Sequence, residues 1–177
     1  MSTFEQLNTG KVTTEQALAL FDSLEPVDVD SMLGHWKGEG FHTNHPMDGL
    51  LEAYHWYGKY FENPEDVHPL VFSSILGGKV YVNPGFMRPL LGIMGRVSLP
   101  KSVVLGKLFQ IVMPLFTTSR SRARLRMTTY RGQSSATMQY DQLPTNDVFR
   151  KIDENTVLGV MDLKGMKTPF FFVLRRE

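Results

Sequence analysis

At 177 residues, 42% hydrophobic and 21% charged, the chain has the size and composition of a single globular domain over 1–177 and is too apolar for a disordered one. Its formal charge of +1 gives no global basic field for nucleic acid, and zero cysteines exclude disulfides, thiolate chemistry and Cys-ligated zinc. Met1 to Gln6 has neither a basic region nor an apolar run, so it does not read as a secretory signal. The most apolar stretch, Val103 to Phe116, is interrupted by Gly106, Lys107, Gln110 and Pro114 and is too short to span a bilayer, so a cytoplasmic protein without an integral membrane segment is expected.

Thr13-Thr14-Glu15-Gln16 fits a capping box, and Ala17, Leu18, Leu20, Phe21 and Leu24 fall on one stripe, which predicts a helix over about 14–24. Pro26 stops it. Three glycines among Gly34 to Gly40 oppose a helix and, with Trp36, suit a strand closely approached by another element. Asp48 can cap a helix through Leu51, Tyr54 and Tyr57, although the aromatic content there also tolerates a strand. Val67 to Val82 reads as one or two strands broken at Gly77-Gly78. Asn83 to Phe116 mixes Met, Pro and Gly with many aliphatic residues and suits an apolar lid or short helices over the core.

From Arg122 the pattern has period two: Arg122, Arg124, Arg126 and Thr128 alternate with Ala123, Leu125, Met127 and Thr129. Turns at Arg131-Gly132, Pro144, Asp153-Glu154-Asn155 and Lys164-Gly165 divide the remainder into about five short strands, a meander rather than βαβ units. The expected fold is mainly β (α+β) and antiparallel, with an N-terminal helix and a short helical or irregular insertion.

Gly34-His35-Trp36-Lys37-Gly38, with His45-Pro46-Met47-Asp48-Gly49 and Trp56-Tyr57-Gly58-Lys59, resembles the GXWXG family over residues 31–62. Tyr130-Arg131-Gly132, Met138 to Asp141, Asp147 to Asp153 and Gly159 to Asp162 resemble domain of unknown function family 4334 over 119–177. The two families usually occur together, in this order, in short bacterial proteins. A strand opening on Gly-x-Trp-x-Gly also resembles the entry strand of calycin-like barrels, which implies that the sheet curls into an antiparallel calycin-like β-barrel, with a Trp plugging one end and an interior for an apolar ligand. Small cofactor-free enzymes that open terpene epoxides, such as the lyase acting on pinene oxide, are similar to this family as well.

Two functions follow as expectations: binding of a hydrophobic, lipid- or terpenoid-like molecule, or cofactor-independent lyase or isomerase chemistry on a hydrophobic epoxide. A protein-interaction module without a small ligand is the third. Asp48, Tyr140 and Asp141 are the candidate acids and bases; protonation of a breaking C–O bond needs a carboxyl that stays protonated. His45, Trp56, Lys59, Arg126, Asp147 and Asp162 are the candidate ligand-binding residues. Arg126, Tyr140, Asp141, Asp147 and Asp162 are expected inside the barrel, and Arg120, Arg122 and Arg124 on a solvated face. Two or more buried titratable groups facing one void would favour an enzyme over a carrier. His35, His42, His45, His55 and His68 complete no recognised zinc spacing, and no nucleophile elbow, phosphate loop or dinucleotide fingerprint is present, so neither metal nor cofactor is expected. The partners expected are the hydrophobic small molecule and a second copy in a homodimer.

Overall fold

The computed structural model describes residues 4–5, 12–74, 77–90 and 101–177. Helix α1 (Thr14–Ser23) starts where the capping box predicts: Thr13 Oγ1 accepts from Gln16 N at 3.2 Å and Gln16 Oε1 from Thr13 N at 2.9 Å. Strands β1 (Glu25–Pro26), β2 (Gly34–Gly40), β3 (Trp56–Phe61), β4 (Val67–Ser73) and β5 (Lys79–Tyr81) follow, with the short helix α2 (Leu50–Ala53) before β3. A 3-10 segment (Pro84–Leu90), α3 (Val103–Val112) and a 3-10 turn (Met113–Phe116) form the insertion. Strands β6 (Ala123–Tyr130), β7 (Gln133–Tyr140), β8 (Thr145–Asp153), β9 (Thr156–Leu163) and β10 (Phe170–Arg176) complete the chain and are the five strands predicted from its periodicity.

Among the described residues, the sheet has ten strands, and every pairing is antiparallel. Eight of them close a ring in the order β2-β3-β4-β6-β7-β8-β9-β10, and β10 returns to β2. The seam is uneven. β6 and β7 pair along their length, from Ala123 with Tyr140 to Tyr130 with Gln133, whereas β4 and β6 meet only at Val67 with Ala123.

Alternation along the strands divides the core in two. Phe170, Phe172 and Leu174 of β10 point into the ring with Trp36, Phe61, Leu125, Met138 and Phe149. Phe171 and Val173 point outward, where they join Val148, Leu158 and Val160 beneath Ala17, Leu20 and Phe21 of α1. Each buried Phe or Leu contributes about 1.5–3 kcal/mol of transfer free energy, so both faces of β8, β9 and β10 hold the fold together. Arg150 lies in the outer layer: it is buried, stacks at 4.8 Å under Phe21 and donates to the carbonyls of Tyr130 and Gln133, both at 3.2 Å.

The helix expected from Asp48 to Tyr57 is a correction. Helical residues stop at Ala53, and Trp56 begins a strand because Gly58 lets β3 lie directly on β2. At Gly58 φ is 153°, and an added Cβ would meet the Trp36 carbonyl oxygen at 2.0 Å.

Candidate functional site

Inside the ring, Trp36 and Arg176 mark the filled end. The Trp36 indole is 1% exposed and donates from Nε1 to Met32 O at 2.8 Å. The Arg176 guanidinium covers it at 4.4 Å and donates to Leu33 O at 2.8 Å and to Ser31 O. Two residues along β2, Gly38 faces the same way as Trp36, and its missing side chain is the space the Trp56 ring occupies, since a Cβ there would lie 2.0 Å from the indole. The Gly-x-Trp-x-Gly spacing thus packs two tryptophans in sequence, one filling the end of the ring and one lining a void.

That void is a cavity of about 320 Å³. Its strand wall includes Trp56, Leu70, Phe72, Met161, Phe170 and Phe172, and its cover is built by Met47, Leu50, Leu51 and Tyr54 around α2 with Phe86, Met87 and Phe109 from the insertion. Gly106 allows α3 to close on α2, because a Cβ there would meet Ala53 O at 2.1 Å. A second depression of about 290 Å³, bordered by Asn83, Leu115 and Arg122, lies beside it.

Three ionisable side chains converge on the strand wall. Lys59 of β3 and Asp147 of β8 form an ion pair, Nζ to Oδ2, at 2.8 Å, with only 3% and 2% of the two side chains exposed. Lys59 Nζ also donates to Pro69 O at 3.2 Å and to the Tyr140 hydroxyl at 3.4 Å, and that hydroxyl donates to Asp147 Oδ2 at 3.4 Å. The ammonium lies 5.1 Å from the Phe172 ring, 5.5 Å from Trp56 and 5.7 Å from Tyr140, within the range at which aromatic faces attract a cation.

Burial pushes the Asp147 carboxyl above the usual carboxylate range, against the opposing pull of Lys59 and Tyr140. Burial and the neighbouring Asp147 charge push the Tyr140 hydroxyl well above the ordinary phenol value. The Tyr140 ring is only partly buried because it borders the void, while its hydroxyl is enclosed. Among the described residues, Asp147 Oδ1 and Trp56 Nε1 are buried without a hydrogen-bond partner, an acceptor and a donor on the wall of one apolar cavity. Leaving such groups unpaired is costly, on the order of 1–3 kcal/mol each.

Of the nine residues singled out in the sequence, Trp56, Lys59, Tyr140 and Asp147 line the cavity. The others lie elsewhere. Arg126, expected inside, faces outward from β6 and pairs with Glu65 at 2.6 Å, its side chain 40% exposed, because Ala123 and Leu125 take the inward positions of that strand. Asp162 is exposed on β9, out of phase with the inward Met161, and Asp141 is exposed in the turn after β7. Asp48 is not the helix cap; Gly49 holds that position, and Asp48 Oδ2 accepts from Thr43 N and His45 N at 2.9 and 2.8 Å. His45 is buried behind the wall, its Nδ1 accepting from Met47 N at 3.1 Å and its ring 5.5 Å from Phe170; burial lowers its pKa, which favours the neutral ring.

Among the described residues, the remaining histidines form no group that could hold a metal ion. His35 stacks on Tyr60, His68 on Tyr81, and His42 contacts Glu52. Sequence reasoning missed Met161, Phe170 and Phe172 as part of the wall. The alternation of Phe170 and Phe172 around Phe171 is the signal that places them on one face.

The chain is similar to known proteins at both ends of its sequence. Residues 19–77 match the model of the GXWXG protein family, and residues 121–176 match domain of unknown function DUF4334. A crystal structure of a protein from Thermomonospora curvata is similar over 94% of this chain and 89% of that one, at 30% identity and a TM-score of 0.68. No curated protein matches. The residues of the second family supply Tyr140 and Asp147, and those of the first supply Trp56 and Lys59, so the cavity group is assembled from both matched segments. The chain belongs to the GXWXG family through residues 19–77 and to the DUF4334 family through residues 121–176.

Proposed function

We propose that the protein takes up an apolar molecule bearing one oxygen function and isomerises it by acid–base chemistry at Asp147, with the eight-stranded ring acting as a calycin-like barrel closed by Trp36. The observation that carries this reading is the convergence of Lys59, Tyr140 and Asp147 on one apolar cavity. A simple carrier has no need to bury three titratable groups against its ligand, since a lone hydrogen bond suffices to orient it.

For an epoxide the steps balance without a cofactor. In its protonated form, toward which burial shifts it, the Asp147 carboxyl gives its proton from Oδ1 to the ring oxygen as one C–O bond breaks. The carbon left positive loses a proton from its neighbour to the Asp147 carboxylate, which forms a C=C bond and restores the acid. The product is an isomeric unsaturated alcohol, and nothing is oxidised or reduced. Lys59, 2.8 Å away, stabilises the carboxylate this step leaves, and the unpartnered Trp56 Nε1 supports a hydrogen bond to the oxygen.

Incubation of wild type and Asp147→Asn with a panel of terpene and other apolar epoxides, followed by gas chromatography, tests this. Wild-type turnover that Asp147→Asn loses by about 100-fold or more is expected for removal of a general acid–base. Uptake of the same compounds in native mass spectrometry with no turnover by wild type would leave the carrier reading instead.

A further inference from the structure

The sequence between Asp66 and Asp141 contains no acidic residue, although it holds ten of the chain's 19 basic ones, and all 18 Asp and Glu lie outside it. The insertion that covers the cavity belongs to this run. Its helix α3 is two-sided. Phe109 lines the cavity, and Gly106 and Gln110 pack on the α2 segment, Gln110 Nε2 donating to Tyr54 O at 3.4 Å. The opposite face is aliphatic and bare: Val104, Leu108 and Ile111 recur at intervals of four and three residues and are 74%, 52% and 67% exposed, and Leu115 in the next turn is 82% exposed. Single exposed aliphatic residues are ordinary, but four in one stripe mark a contact surface.

We infer that α3 docks on an anionic phospholipid surface, with Val104, Leu108, Ile111 and Leu115 entering the headgroup–acyl boundary. Arg88, Lys101 and Lys107 are exposed on the same insertion, Arg120 is exposed just after it, and Lys107 flanks the stripe on α3. An apolar helix face bordered by basic side chains, in a run free of carboxylates, is the pattern that binds anionic lipid by burial and charge together. A second copy of the chain fits less well, because a two-fold contact through α3 would set Lys107 and its neighbours against themselves. Nucleic acid would leave the aliphatic stripe without a role. The docking places the cover of the cavity at the membrane, where apolar molecules concentrate. It holds whether the cavity carries or transforms its ligand.

The test is co-sedimentation of the full chain with vesicles of phosphatidylcholine alone and of phosphatidylcholine mixed with phosphatidylserine, at low and high salt. Binding to the mixed vesicles that weakens with salt is expected. Lys107→Gln should lower affinity roughly fivefold, the factor for one basic residue near an anionic surface. The double variant Leu108→Asp/Ile111→Asp, at exposed positions that leave the fold intact by circular dichroism, should abolish it. Three results would overturn the inference: no binding to anionic vesicles at low salt, binding that survives the double variant, or a wild-type dimer in sedimentation equilibrium that the double variant dissociates without any vesicle binding.

Discussion

Lys59 and Asp147 stand 88 positions apart in the chain, yet their charged groups meet at 2.8 Å on the wall of an apolar cavity. Both are almost fully removed from water, and the second oxygen of Asp147 has no partner among the described residues. Desolvation of two charges costs several kcal/mol per ion, so the pair adds little net stability.

Replacing either partner alone should therefore be more damaging than replacing both. Lys59→Met strands the Asp147 carboxyl in an apolar wall and should cost about 3–5 kcal/mol, softened where the carboxyl takes up a proton. Lys59→Met combined with Asp147→Leu should recover most of that loss. Urea unfolding of the two single variants and the double variant closes the cycle, and additive losses would contradict a coupled pair.

The pH dependence follows from the same burial. The folded-state pKa of Asp147 is raised above its ordinary 3.8, so in the window above 3.8 the folded chain holds a proton that the unfolded chain has released. This contribution is fully present below 3.8 and declines as pH rises through the folded value. His45 and His68 act with the opposite sign. Burial lowers both from 6.5, so their contribution is present above 6.5 and is lost as pH falls through the folded values. The difference in unfolding free energy between wild type and Asp147→Asn, followed upward from pH 4, should shrink, and a flat difference would remove the assignment.

Gly38→Ala should disturb the cavity from outside it. Its Cβ would lie 2.0 Å from the Trp56 ring, so the indole must move off the wall or the strand must shift. Overpacking of this kind costs about 1–3 kcal/mol. A changed Trp emission spectrum and weaker uptake of apolar ligands in native mass spectrometry are expected together.

Arg176→Ala should loosen the filled end and leave the cavity group in place. It removes the cover of Trp36 and two charge-assisted hydrogen bonds to the Ser31 and Leu33 carbonyls. Hydrogen bonds from charged groups contribute about 1.5–3 kcal/mol each, so a loss of that order in unfolding free energy is expected. Arg126→Ala is the contrasting case. Its pair with Glu65 is solvent-exposed, and its removal should change stability by less than about 1 kcal/mol.

Local chemistry made much of the fold legible. Thr13 and Gln16 announce α1, and the period-two pattern after Arg122 separates β6 to β10 at corners marked by Gly132, Pro144, Asn155 and Gly165. The site was legible only by residue type. Arg126 and Asp147 read alike in the sequence, each a charged residue within a strand, but one is turned to solvent and the other into the ring. Which face is inside depends on where each strand's apolar neighbours must go. In β6 these are Ala123 and Leu125, and Arg126 falls out of phase with them. In β8 apolar Val148 and Phe149 occupy both faces, and alternation alone does not choose between them.

The sequence by itself determined the helix α1, the five C-terminal strands, the resemblance to both families and the presence of Trp56, Lys59, Tyr140 and Asp147 in the matched segments. Tertiary structure alone decided that these four share one cavity, because the closing of β10 on β2 and of β8 on β9 fixes which strands face each other across the ring. It alone decided that Lys59 answers Asp147 and that Asp48, Asp141 and Asp162 stand apart. A charge is tolerated in an apolar wall only beside its partner, and that partner comes from a strand far away in the chain.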